Sequence, residues 1–290
     1  MKMSSNLVRD CRRHYASELE KIYDSNEANA LIIILLEHYF GIDRVKMALE
    51  PELRLSESEL LTLHFAVKEL LKNKPIQYVI GETEFCGMRF FVEEGVLIPR
   101  PETEEMVRHL AVGHWPLAVK ILDIGTGSGC IAISLAKLLK DSVVTAVDVS
   151  EKGLEIAKKN AEANGVDVRF VFDDILNPKN PELIDNQYDI IISNPPYVCE
   201  SEKSEMRANV LDYEPSSALF VSDNDPLIFY RKILEFAQKA LKPDGEVWFE
   251  INEKFGHEMQ NLCHEKGFKN IEIIKDFRER ERIVRVDFKD

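Results

Sequence analysis

Asn194-Pro195-Pro196-Tyr197 closes the apolar run Tyr188 to Ser193 and brings a side-chain amide, a proline carbonyl and an aromatic ring into four residues. Neither proline carries an N–H, and Pro195 biases Asn194 away from helical torsions, so strand pairing stops and carbonyls are left to accept. Such a corner can grip a planar –NH2 group, either an amide or an amino-base. The short β-branched run before it reads as a strand covered on both faces. In an open parallel sheet, ligands bind beyond the carboxyl ends of such strands. The same four residues also read as a proline turn with a buried tyrosine, and the choice depends on what lies upstream.

Upstream lies a second constellation, Asp123-Ile124-Gly125-Thr126-Gly127-Ser128-Gly129, between an apolar run from Ala118 and a helical pattern from Ile131 to Leu139. Glycines let backbone approach a ligand closely, and a helix N-terminus offers N–H groups to a carboxylate. The dinucleotide fingerprint GxGxxG needs glycine at position 130, where this chain has Cys130. With Asp123 two residues before the first glycine, the pattern favours S-adenosylmethionine over NAD. Asp148 ends the run Val143 to Val147, 19 residues after Gly129, and can accept both ribose hydroxyls. Asp174 follows Val168 to Phe172 and can accept an adenine amino group. The candidate cofactor-binding set is Gly125, Thr126, Gly127, Ser128, Gly129, Asp148, Asp174 and Asn194. The candidate catalytic set is Asn194, Pro195, Pro196 and Tyr197. Cys11, Cys86, Cys130, Cys199 and Cys263 are scattered without CxxC spacing, so reduced thiols and no metal site are expected.

These residues need elements to hold them. Residues 1–75 show helical periodicity: Asn6 to Glu20, Asn26 to Phe40, a short piece Asp43 to Ala48, and Ser56 to Lys72. Ser56 and Glu59 form a capping box for the last, whose expected buried stripe is Leu60, Leu61, Leu63, Val67, Leu70 and Leu71. Residues 76–98 read as a β-hairpin linker, with Gln77 to Gly81 as its first extended piece and Glu84 to Val92 as the rest. Residues 99–290 alternate strand and helix, opening with a helix that Thr103 can cap. Alternation of this kind gives an α/β parallel sheet, and the closing hairpin, Ile271 to Phe277 with Arg282 to Phe288, makes one strand antiparallel. Val198 to Ala218 reads as a polar, strandless insertion long enough for a substrate-side lid.

A chain of 290 residues with 45% hydrophobic content has room for a large core. No apolar run approaches the ~20 residues of a membrane helix. Met1 to Ser5 has no apolar signal region behind it, so a cytoplasmic protein is expected. Residues 1–75 hold 11 Lys and Arg against 12 Asp and Glu, which leaves 26 against 39 for residues 76–290. Such an acidic surface would repel phosphate backbones, so nucleic acid is an improbable partner.

Together these features resemble the release factor glutamine methyltransferases of the HemK family. The resemblance spans nearly the whole chain and rests on the helical domain, Gln77-Tyr78 with Gly81, Phe85 and Gly87, Ile98 to Glu104, the Asp123 to Gly129 loop, Asp148, Asn194 to Tyr197, and Tyr213-Glu214-Pro215. It implies a seven-stranded, class I, Rossmann-like methyltransferase sheet behind an N-terminal helical bundle that docks the substrate. It also implies transfer of a methyl group from S-adenosyl-L-methionine to N5 of the Gly-Gly-Gln glutamine in peptide chain release factors. In that setting Asn194 and the Pro195 carbonyl would hold the amide, and Tyr197 would pack its ring against the amide or the sulfonium. One stretch departs from the family pattern: Ser222 to Leu227, with Pro226, stands where a glycine-rich stretch is usual. Two other classes use some of the same residues, a DNA adenine N6-methyltransferase and a non-catalytic cofactor-binding adaptor. The acidity of residues 76–290 stands against the first, and the intact Asn194 to Tyr197 motif against the second.

Overall fold

The Asp24 carboxylate accepts hydrogen bonds from the N–H groups of Asn26 and Glu27 and thereby opens the longest helix of an N-terminal bundle. The structure, a computed structural model, describes residues 5–289; Met1 to Ser4, part of the stretch examined for a signal region, and Asp290 lie outside the described residues. Elements are numbered in chain order. The chain divides into two compact units, one containing the residues up to Gly81 together with Arg207–Tyr213, the other Glu82–Met206 and the chain from Glu214 onward.

The first unit contains α1 (Val8–Leu19), α2 (Ser25–Phe40), α3 (Arg44–Leu49), α4 (Glu57–Leu70), α5 (Ile76–Ile80) and, from the later segment, α10 (Ala208–Leu211). Leu19, Ile32, Leu35, Leu36, Leu63 and Leu70 are fully buried at its centre. The capping box of Ser56 and Glu59 opens α4 as expected. Leu61 does not join the buried stripe. The helix buries Leu63, Ala66, Val67 and Leu70, and Leu61, two positions before Leu63, projects from the other side with 56% of its surface exposed. Residues 76–80 also differ from their expected extended form: they make α5, which ends at Gly81 in the left-handed conformation. Tyr213, in the later segment, donates its hydroxyl to the Lys72 carbonyl at 2.8 Å.

The second unit begins with the hairpin β1 (Glu82–Phe85) and β2 (Met88–Phe91), then α6 (Pro101–Ala111). Its strands β3 (Lys120–Ile124), β4 (Val143–Asp148), β5 (Arg169–Phe172) and β6 (Tyr188–Ser193) alternate with α7 (Cys130–Leu138), α8 (Glu151–Asn164) and α9 (Pro181–Asp185). After β6 come β7 (Val198–Cys199), α11 (Ser216–Leu219), β8 (Phe220–Val221), α12 (Ile228–Ala240), β9 (Leu241–Glu250), α13 (Gly256–Glu265), β10 (Asn270–Lys275) and β11 (Glu281–Asp287). The main sheet has seven strands in the order β10-β11-β9-β6-β3-β4-β5. Only β11 runs antiparallel to both of its neighbours. The insertion after β6 is not strandless, because β7 pairs in parallel with β8.

Both faces of the sheet are covered at its centre, which is why β3 and β6 are buried along nearly their whole length. On β6, Ile190 and Ile192 face a cluster with Phe85, Phe90, Met106 and Ile131, while Ile191 faces Tyr230, Ile233 and Phe249. Each of these isoleucines contributes about 1.5–3 kcal/mol by leaving water. Register then brings strand ends together: Ile124 of β3 pairs with Ser193 of β6, and the Ser193 hydroxyl donates to the Ile124 carbonyl at 2.6 Å. The glycine loop and the Asn194 corner therefore leave the sheet side by side.

Candidate active site

Gly125, Gly127 and Gly129 all have positive φ, the conformation side chains resist, so the loop after β3 turns back on itself before α7 starts. A Cβ on Gly129 would stand 2.8 Å from Ile133 Cδ1 and 3.0 Å from the Ala157 Cβ, so this glycine serves helix packing. Asp123 braces the turn from beneath. Its carboxylate accepts from the Thr126 hydroxyl at 2.6 Å and the Ala132 N–H at 3.2 Å, and burial pushes its pKa up to about 7.

Asp148, at the end of β4, accepts from the Gly127 N–H at 2.7 Å and the Ser150 N–H at 2.8 Å. Burial raises its pKa from the ordinary carboxylate value, and the hydrogen bonds from Gly127 and Ser150 oppose that rise. Each carboxylate oxygen has a second lone pair, so Asp148 can shape the loop and still accept from a ligand. After β5 the two acids separate in role. Asp173 is buried and accepts from the backbone of Asp174, Lys179 and Asn180, which folds the loop. Asp174 uses one oxygen on the Leu176 N–H.

One cleft gathers these residues, with an empty volume of about 1140 Å³ including its open mouth. Gly125, Thr126, Gly127, Ser128, Asp148, Asp174, Asn194, Pro195 and Pro196 all line it. Gly129 and Tyr197 are not in that lining. Tyr197 instead packs against the core beside α12 and donates its hydroxyl to Glu250 at 2.9 Å. The ring is partly buried, and its contacts within the chain are with the core and Glu250.

Several residues in and around the cleft belong to neither candidate set. Ile98 and Arg100 are held by Glu214: its carboxylate accepts from the Ile98 N–H at 3.2 Å and from the Arg100 guanidinium at 2.5 Å. Thr103 does not cap α6, which starts two residues earlier with Pro101 in its first turn. It is buried, and donates its hydroxyl to Glu250 at 2.5 Å while accepting from Asn194 Nδ2 at 2.9 Å. Asn160 joins the hairpin to the loop, accepting from the Phe91 N–H and donating to the carbonyls of Phe91 and Ser128. In the departing stretch, a turn from the Asp225 N–H to the Ser222 carbonyl precedes Pro226, and Asp225 pairs with Arg231 at 2.8 Å.

Residues 10–81 match the PrmC N-terminal domain family, and residues 102–213 match the methyltransferase small domain family. A release factor glutamine methyltransferase of Flavobacterium psychrophilum is 44% identical over 287 residues, covering 98% of this chain and 100% of its own. The chain belongs to the release factor glutamine methyltransferase family. A second such relative, from Bacteroides thetaiotaomicron, is 45% identical over 266 residues, 92% of this chain and 95% of its own. Among solved structures, a methyltransferase from Pyrococcus furiosus superposes with a TM-score of 0.54 at 21% identity, covering 77% of this chain and 98% of its own. The human Mettl16 catalytic domain does so with a TM-score of 0.53 at 18% identity, covering 81% and 83%. At those identities the likeness is one of fold: the α/β sheet of class I methyltransferases. The two family relatives lend no support to a DNA adenine methyltransferase or to a non-catalytic adaptor. Among the described residues no helix is long and apolar enough to cross a membrane.

Proposed function

We propose that this chain transfers a methyl group from S-adenosyl-L-methionine to the N5 amide nitrogen of the Gly-Gly-Gln glutamine in peptide chain release factors, in the cytoplasm. The observation that carries the reading is the shared cleft, in which Asn194 at the end of β6 lies beside the glycine loop at the end of β3.

The lining fits the cofactor by its chemistry. Acidic acceptors stand at the ends of β4 and β5, and the Ser128 hydroxyl is buried without a hydrogen-bond partner among the described residues. Asp148 would take the ribose hydroxyls, Asp174 the adenine amino group, and the loop N–H groups together with Ser128 the amino-acid end. When bound, S-adenosyl-L-methionine supplies an electrophilic methyl group on a sulfonium. Asp148→Ala is expected to weaken cofactor binding by roughly 1.5–3 kcal/mol, the scale of hydrogen bonds to a charged group. Calorimetry checks this, and an unchanged dissociation constant would take Asp148 out of the ribose role.

The nucleophile is the harder half of the problem. An amide nitrogen shares its lone pair with its carbonyl, a conjugation reflected in the ~18–20 kcal/mol barrier to amide rotation. The chain answers by placement: Asn194 Oδ1 and the Pro195 carbonyl accept the two N–H bonds of the glutamine amide and fix its nitrogen for in-line attack. Held by Asn194 and Pro195, the nitrogen would be placed to take the methyl group that the sulfonium supplies, and would then release its proton, made acidic by methylation, to solvent. No protein base is required at the nitrogen.

Incubating the enzyme with S-adenosyl-L-methionine and a release factor tests the whole reading by mass spectrometry. The expected product carries one added methyl group on the Gly-Gly-Gln glutamine. Methylation confined to another residue, or to added DNA, would overturn it.

A further inference from the structure

Glu250 is fully buried at the end of β9, directly after the buried Val247, Trp248 and Phe249. Burying a carboxyl group is costly unless its oxygens are hydrogen-bonded. Both are. One accepts from the Thr103 hydroxyl, the other from the Tyr197 hydroxyl. Thr103 in turn accepts from Asn194 Nδ2.

We propose that Glu250 and Thr103 are positioning residues for methyl transfer, setting which end of the Asn194 amide faces the substrate. The proposal rests on Asn194 accepting a hydrogen bond from the target amide.

The polarity follows from donor counting. A carboxylate can only accept, so the single hydroxyl proton of Thr103 is committed to Glu250. Thr103 then has only lone pairs to offer Asn194, which must present Nδ2 to it. Oδ1 is the end left to accept from a ligand. Were the amide turned over, two acceptors would face each other at Thr103 and two donors would meet at the substrate nitrogen. The second oxygen of Glu250 fixes the other end of the motif by holding Tyr197. Burial raises the Glu250 pKa above the ordinary carboxylate value, and the hydrogen bonds from Thr103 and Tyr197, together with the Arg282 guanidinium, oppose that rise and hold the acceptor form. Tyr230 donates its hydroxyl to the Glu250 backbone carbonyl at 3.0 Å and holds the end of the strand.

Thr103→Val keeps the branched shape and removes the relay. The expected result is a kcat about tenfold lower, the scale of one mispaired buried hydrogen bond, with the cofactor dissociation constant changed much less. Thr103→Ser restores the hydroxyl and should recover most of the lost turnover. The deciding measurement is a double-mutant cycle with Asn194→Ala. If Thr103 acts through Asn194, valine costs almost nothing further in the alanine background. Should valine not be accommodated, as judged by lost cofactor binding, Thr103→Ala reads the same cycle. Glu250→Met removes both acceptors at similar length, so the Thr103 proton is free to face Asn194, Tyr197 loses its partner, and kcat falls. Unchanged kcat in Thr103→Val, or equal losses in both backgrounds, would overturn the role of Thr103; unchanged kcat in Glu250→Met would overturn that of Glu250. Full turnover by Asn194→Ala alone would instead remove the underlying reading of Asn194.

Discussion

Asn194→Ala is expected to lower kcat by roughly 10²–10³-fold, the loss seen when one preorganised polar contact is deleted from an active site. Cofactor affinity should change far less, because the glycine loop, Asp148 and Asp174 are held by contacts that do not involve Asn194. The distinction is sharp because an unanchored amide still reaches the cleft. What it loses is the alignment that makes a conjugated nitrogen reactive, and that alignment is worth several kcal/mol when bound geometry approaches the attacking one. Single-turnover measurement at saturating cofactor checks it. Near-normal turnover would return Asn194-Pro195-Pro196-Tyr197 to a structural turn. Aspartate is an informative companion: it keeps an acceptor toward the substrate but offers no N–H to Thr103, so two acceptors face each other at 103.

The contrast between Asn194 and Glu250 also marks how far the sequence could be taken. Asn194, the glycine loop, Asp148 and Asp174 were legible because each stands where an apolar run stops, and the alternation of strand and helix puts those stops at one edge of the sheet. Glu250 is a lone acid at the end of Glu246 to Glu250, and nothing local distinguishes it from an exposed strand residue. Its partners Thr103 and Tyr197 are 147 and 53 residues away, so only the folded sheet reveals the connection. The anchoring of Tyr197 is hidden for the same reason: the buried acceptor that holds its hydroxyl comes from another strand. Residues 76–80 failed differently: five residues with a terminal glycine satisfy a short helix as well as a strand, and packing chose. The insertion after β6 hid its small β7–β8 pairing because two-residue strands carry no periodicity.

Leu61→Glu combined with Phe65→Glu is expected to reduce kcat/KM for a full-length release factor by about 10²–10³-fold, the scale of two interface anchors at about 2 kcal/mol each. The two side chains are 56% and 60% exposed and lie one turn apart on α4, so they form an apolar pair facing away from the bundle core. We propose that this helical unit docks the folded release factor, with the exposed apolar pair as its anchor. Deleting the unit outright would be a poorer test. Arg207–Tyr213 packs with it, and Tyr213 would lose the Lys72 carbonyl as well as its surroundings. Surface substitutions leave those contacts in place and cost little stability. A short Gly-Gly-Gln peptide, too small to reach a remote docking surface, should be methylated by the double variant at the wild-type rate. Binding energy from remote contacts lowers the barrier only for the substrate that can make them. Equal losses for the peptide and the full-length factor, with cofactor affinity intact, would show that α4 acts on the reaction itself, and no loss for either would place the docking surface elsewhere on the chain.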